Sequence, residues 1–330
     1  MPLPTAPLLG FLADNLRKRA SVMPMSSKRA TQWAAGLDLP RGGETVLYTG
    51  HMYQMIPTLA RVTGMTSRFE DHWLGKSLSI GRIANKFVNV SRFLPRPNSK
   101  EQKRYEKYLR NIVRLLRAAN VGPFGYLYAG ELYGGALVRD LGLDDVFERH
   151  ARKVYERLEK HGVKRVITVD PHTTDMLRNV YPNVVPEYDI DVKSYLELLR
   201  EHALEATVDM DATVVVHDSC VYARYLDVVE EPRKLLEKAG ITINEPEYSG
   251  KTTFCCGGPV ESLFPSKARE VAGKRLEQLV ANGNDVVTMC PICLFNLAGA
   301  ANGQGTKVED ISEYLVRAYG VEKEKTSWER

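Results

Sequence analysis

Two stretches of this 330-residue chain repeat each other about 120 positions apart, and that repeat limits the possible folds more than any other feature. Ala151, Lys153, Glu156, Leu158 and Gly162 recur as Ala272, Lys274, Glu277, Leu279 and Gly283. Val166-Ile167-Thr168-Val169-Asp170-Pro171 then recurs as Val286-Val287-Thr288-Met289-Cys290-Pro291. His51-Met52-Tyr53 and Cys220-Val221-Tyr222 correspond in the same order, each directly after a β-branched run. A self-similar sequence builds two copies of one supersecondary unit. Each copy joins a helical pattern with a glycine stop to a short strand, which indicates parallel βαβ units. The expected fold is therefore α/β: two pseudo-symmetric small parallel-sheet domains with an N-terminal helical extension. The expected boundaries are 1–42 for the helical lead-in, 43–200 for the first domain and 201–330 for the second.

Local patterns fill in this plan. Residues 45–49, 165–169, 212–216 and 286–289 read as buried strands, and 51–65, 147–160 and 266–281 as helices. Leu8, Leu9, Leu12 and Leu16 share one helical face in the lead-in, which ends in Arg17-Lys18-Arg19. Segment 76–117 is basic, with twelve Lys or Arg against Glu101 and Glu106. It reads as a solvated helical face, or as a docking surface for an acidic redox partner or an anionic membrane. The overall net charge of +4 is too balanced to indicate nucleic acid. No apolar run is long enough to span a membrane, and the N-terminal basic cluster follows its apolar run, unlike a secretory signal. A cytoplasmic protein is expected.

The chemistry concentrates in five cysteines, all between Cys220 and Cys293. An odd number of thiols in a short span of a cytoplasmic chain is a poor disulfide framework and a better metal site. Their order is Cys220, 34 residues, Cys255-Cys256, 33 residues, Cys290-Pro291-Ile292-Cys293, with Gly257-Gly258 directly after the adjacent pair. Each group follows a strand or opens a helix, so the thiols can converge at one sheet edge. Soft thiolates select zinc or iron–sulfur. Five thiols with an adjacent pair suit a multi-iron cluster better than a four-ligand structural zinc. The compact ferredoxin spacing is absent. Spacing leaves iron–sulfur, zinc and a redox dithiol as readings.

These motifs, with His217-Asp218-Ser219 before Cys220, resemble the CCG-type cysteine-rich domain family. Members include the B subunit of heterodisulfide reductase and the iron–sulfur proteins of glycolate and lactate oxidation. Gly50-His51, Tyr128-Ala129-Gly130 and Asp170-Pro171-His172-Thr173 occupy the places of a first CCG motif whose cysteines are lost. The resemblance implies two CCG domains packed face to face. It also implies a non-cubane [4Fe–4S] cluster on Cys220, Cys255, Cys256, Cys290 and Cys293, with none in the first half. The implied function is a heterodisulfide reductase-like redox subunit of an oxidoreductase complex. Its cluster would pass electrons to or from a disulfide, a thiol or a quinone-linked partner. The alternatives are a non-catalytic electron-transfer or assembly subunit that docks a flavoprotein to a membrane complex, and a zinc-stabilised binding protein. Implied partners are a ferredoxin-domain iron–sulfur subunit, expected as a separate chain, and a flavoprotein. Contact with the cytoplasmic membrane face would be peripheral.

Other polar groups are weaker candidates. His217 and Asp218 read as supporting groups that hydrogen-bond near the cluster. His51, Asp170 and His172 form a candidate second metal site, with a vestigial pocket of hydrogen-bonded groups as the plainer reading. Tyr126, Tyr128 and Tyr133 read as core aromatics, with stacking on a substrate as the alternative.

Overall fold

The computed structural model describes residues 5–66, 97–203, 205–283 and 285–321. It contains two four-stranded parallel sheets of the same topology. In the first sheet, β1 (Thr45–Tyr48), β2 (Gly125–Tyr126), β3 (Arg165–Thr168) and β4 (Asp191–Ser194) lie in the order β2-β1-β3-β4. In the second, β5 (Ala212–His217), β6 (Ile241–Ile243), β7 (Asp285–Thr288) and β8 (Lys307–Asp310) lie in the order β6-β5-β7-β8. Every pairing is parallel, and Leu47 stands opposite Ile167 as Val216 stands opposite Val287. The duplication legible in the sequence is thus a duplication of topology.

The apolar runs of β1, β3, β5 and β7 form the sheet centres because helices cover both faces. Val46, Leu47, Val214, Val215, Val216, Val286 and Val287 are fully buried. The expected helices run from Met52–Thr66, Asp144–Lys160 and Pro265–Val280. The lead-in helix, Thr5–Arg19, buries Leu12, Ala13 and Leu16 and packs against Asp144–Lys160, with Arg17, Lys18 and Arg19 in its last turn. Cations there complement the helix dipole.

One apolar core runs through both halves, joining Leu47, Tyr53 and Ile167 to Val216, Val287 and Leu294. A second lies wholly in the first half, with Ile292 packed onto it. The C-terminal strand edges meet. Tyr53, after β1, donates to Asp310 at the end of β8 (2.8 Å), and Asn179 donates to the Tyr225 carbonyl (3.1 Å).

The basic segment is described only from residue 97, so its 76–96 part lies outside the described residues. Its helix, Ser99–Ala118, is not simply a solvated face. Arg104 binds the Val308 carbonyl (3.0 Å) and Glu309 (3.1 Å), and Lys107 binds Glu313 (2.6 Å). Arg110 donates to the carbonyls of Trp33 (2.8 Å) and Ala35. Much of this charge staples elements of the fold together.

Candidate metal centre

The strand order places the thiols. In each sheet the order reverses between the two central strands, and such switch points open a crevice at the carboxyl ends of the strands. Cys220 follows β5 and Cys290 follows β7, the two strands that flank the second crevice. Cys290 is the N-cap of the helix Pro291–Ala300, yet its side chain makes no capping bond, and Cys293 lies in the first turn. Cys255 and Cys256 come from the loop between two short helical turns, Gly250–Thr252 and Pro259–Ser262. Gly257 has φ +84°, and a Cβ there would lie 2.6 Å from the Ala268 carbonyl oxygen. A Cβ on Gly258 would lie 2.9 Å from Ile292 and 3.6 Å from the Cys256 sulfur. The two glycines let the backbone close around the sulfurs.

All five cysteines are free thiols; Cys256, Cys290 and Cys293 are buried. The sulfurs of Cys256 and Cys293 are 3.2 Å apart, and the Gly257 N–H donates to Cys255 (3.3 Å). Neighbouring sulfurs, and then burial, push the thiols of Cys220, Cys256 and Cys293 upward. Hydrogen bonds from Cys220, Cys256 and the two glycine N–H groups take Cys255 down. Burial opposes ionisation of Cys290, but bonds from Cys293 and His172 take it down as well. Five sulfurs this close cannot all ionise without a cationic centre, so the donor set fits a thiolate-bound metal group.

Two further groups complete the shell. Arg275 is 1% exposed and donates to His217 Nδ1 (3.2 Å), the Tyr248 carbonyl (3.0 Å), Thr253 Oγ1 (3.3 Å) and Gln278 (3.1 Å). None of these partners is a carboxylate. The nearest carboxylate, Asp218, is already bonded to Arg233, so a buried cation here is costly, and an anionic thiolate centre beside it supplies the missing charge. With Nδ1 accepting from Arg275, the neutral His217 ring carries its proton on Nε2. That nitrogen is buried without a partner. Burial, and then the Arg275 charge, push the imidazole down to about 3. Among the described residues, only His217, Cys256 and Cys293 form a group of three or more metal-ligand side chains whose ligand atoms lie within 4.8 Å of one another. A ring in this tautomer offers an N–H to a sulfur rather than a lone pair to a metal.

Asp218 faces away from the sulfurs. It takes two bonds from Arg233 (2.8 and 2.9 Å) and one from the Gly250 N–H (2.6 Å), while its carbonyl accepts from Thr253 (3.2 Å). It therefore pins the Cys255-Cys256 loop to the end of β5.

The first half is plugged at the corresponding strand end. Glu131 accepts from the N–H and hydroxyl of Thr49, the Gly50 N–H (3.1 Å) and Tyr126 (2.8 Å). Burial raises this carboxyl to about 7 against those bonds. His51 lies 3.5 Å from Glu131, and burial pushes it down to about 4. Asp170, matching Cys290, is likewise a helix N-cap and accepts from the Thr173 N–H (3.0 Å). His172 stays within electrostatic reach of Asp170, but its hydrogen bond crosses to Cys290 in the second half. The structure thus does not bring His51, Asp170 and His172 together in the way it gathers His217, Cys256 and Cys293. Tyr126 is buried in the core and takes a bond from Trp33 (3.3 Å), while Tyr128 is half-buried at the core's edge and donates to the Leu39 carbonyl (2.8 Å).

Sequence reasoning missed Arg275 and Glu131. Arg275 had a signal: it shares the buried face of its helix with Ala268, Ala272 and Leu279, where a cation is out of place.

Residues 214–298 match the CCG family, described as a cysteine-rich domain. The chain is 31% identical over 233 residues to "EtfAB:quinone oxidoreductase" of Syntrophomonas wolfei, covering 65% of this chain and 32% of that protein. It is 31% identical over 224 residues to "Probable iron-sulfur-binding oxidoreductase FadF" of Bacillus subtilis, covering 66% and 31%. It is 28% identical over 202 residues to the D component of the dihydromethanophenazine:CoB–CoM heterodisulfide reductase of Methanosarcina mazei, covering 57% and 49%. The chain thus spans about a third of the first two relatives and about half of the third. Among the described residues, no helix is long and apolar enough to cross a membrane.

Proposed function

We propose, for a chain whose second half is a CCG cysteine-rich domain, that it is an iron–sulfur redox subunit carrying one [4Fe–4S] cluster, non-cubane in type. Cys220, Cys255, Cys256, Cys290 and Cys293 would hold the cluster. The observation that carries this reading is the convergence of five free thiols from three segments beside Arg275, a buried cation with no carboxylate among its hydrogen-bond partners. The cluster, when bound, supplies one-electron redox chemistry. The chain's own residues set the conditions. The cysteines and the Gly257 N–H orient the ligand shell, Arg275 balances its negative charge, and His217 Nε2–H offers a hydrogen bond toward sulfur. Partner proteins of the ferredoxin and flavoprotein classes would deliver or accept the electrons, with any membrane contact peripheral and cytoplasmic. The loss of every cysteine from the first motif supports a single-cluster electron-transfer subunit over a two-cluster one.

Anaerobic purification with iron, sulfide and zinc analysis tests this. About four irons with acid-labile sulfide per chain, lost in Cys256→Ser, is the expected result. One zinc and no iron in a cluster-competent preparation would overturn it.

A further inference from the structure

The half without cysteines meets the metal centre through one turn. By the internal repeat, Asp170-Pro171-His172-Thr173 stands where the second half has Cys290-Pro291-Ile292-Cys293. Each turn follows a central strand and opens a helix whose N-cap is Asp170 or Cys290. In each, the third residue crosses to the other half. Ile292 packs onto the apolar core of the first half. His172 makes the reciprocal crossing: it shares a cleft with Gly258 and Ile292 and hydrogen-bonds Cys290. The crossing thus belongs to the position in the duplicated fold, and only the chemistry of the side chain differs between the copies.

Burial gives this contact its weight. Asp170 and Cys290 are fully buried, and His172 is 8% exposed. Asp170 spends one carboxylate oxygen on its helix cap, the Thr173 N–H (3.0 Å). Its Oδ2 is buried without a hydrogen-bond partner, within electrostatic reach of His172. Asp170, His172 and Cys290 therefore form a carboxylate–imidazole–sulfur series across the boundary. Outer hydrogen bonds of this kind orient a metal's ligands and tune the metal. An N–H bond to a thiolate sulfur spreads its charge and favours the reduced, more negative cluster.

We infer that the half without cysteines is the outer wall of the metal centre, and that His172 is a positioning residue there. It donates to Cys290, holds that sulfur in place and raises the reduction potential of the centre. The effect on potential rests on the iron–sulfur reading; the contact itself does not.

The test uses the full chain, purified without oxygen, and has two readouts. In the iron-free chain with isotope-labelled histidine, Cys290→Ala should move the ring-nitrogen NMR signals of His172, which His172→Leu assigns. In the iron-loaded chain, His172→Leu should shift the reduction equilibrium at least about tenfold, lowering the midpoint potential by ~59 mV for one electron. At least one of His172→Gln and His172→Asn, which keep an N–H at the reach of Nε2 or Nδ1, should recover part of that shift. Melting temperatures and iron content separate a lost donor from a damaged fold. Ring signals indifferent to Cys290→Ala would overturn the inference. So would a potential in His172→Leu within about twofold of wild type, ~18 mV. No recovery by either amide variant would reduce His172 to a packing residue and overturn it too. A wild-type chain that held zinc and no iron would sink the iron–sulfur reading. The His172 contact would then stand or fall on the ring signals and on faster zinc release to a chelator by His172→Leu.

Discussion

Asp218→Asn tests how the cysteine loop is held. Asp218 is 2% exposed and receives both Arg233 bonds and the Gly250 N–H. Breaking a buried ion pair costs about 3–5 kcal/mol because it leaves a buried charge uncompensated. Two features reduce that here. Asparagine keeps the shape and one acceptor, and Glu245 remains 2.6 Å from Arg233 with its side chain 40% exposed. A loss of about 2–3 kcal/mol follows, which at roughly 2–4 °C per kcal/mol lowers the melting temperature by about 4–12 °C. The loop that loosens is the one carrying Cys255 and Cys256, so metal retention should fall about 10- to 100-fold. Calorimetry on iron-free and loaded protein, with iron release to a chelator, measures both. Arg233→Gln in the Asp218→Asn background should cost less than the sum of the single changes, with a coupling of about 1–3 kcal/mol. A melting temperature within about 1 °C of wild type, with unchanged iron release, would refute the anchoring role.

Three further outcomes follow from the same geometry. Gly257→Ala forces a side chain into left-handed backbone 2.6 Å from a carbonyl oxygen. It should cost at least ~1–2 kcal/mol and abolish iron incorporation; full iron loading would count against the tight loop. Arg275→Gln removes the buried cation beside the sulfurs. It should shift the midpoint potential negative by at least about 59 mV, a tenfold change for one electron, in an EPR-monitored titration; Arg275→Lys should recover part of it. His150 is buried against the Tyr133 carbonyl (2.6 Å), and burial holds it at about 4 against an ordinary 6.5. Its stabilising contribution is complete above pH 6.5 and is lost as pH falls toward 4. The loss amounts to about 2 kcal/mol at pH 5. Urea unfolding at pH 7.5 and 5 should therefore show a smaller acid loss for His150→Gln than for wild type, and equal losses would refute the assignment.

The central strands were legible because burial on both faces leaves an uninterrupted apolar run, as in Val214-Val215-Val216. Four strands were not read from the sequence. β2 has two residues, β6 has three, and β4 and β8 are half-exposed edges with Lys or Asp in them. Edge strands pair on one side only, so their residues carry little apolar signal. The lead-in helix was legible from its leucine face, whereas the staples of Arg104 and Lys107 were not. A cation bonded to another element has the same local pattern as a solvated one.

The sequence alone determined the duplication, the parallel α/β class and the five thiols at strand ends. Strand period, helix period and thiol chemistry are local properties of neighbouring residues. Tertiary structure decided what surrounds those thiols. Arg275 reaches His217, Asp218 turns to Arg233, and His172 bonds Cys290 across the two halves. These meetings join residues far apart in the chain, and the packing of one half against the other sets them.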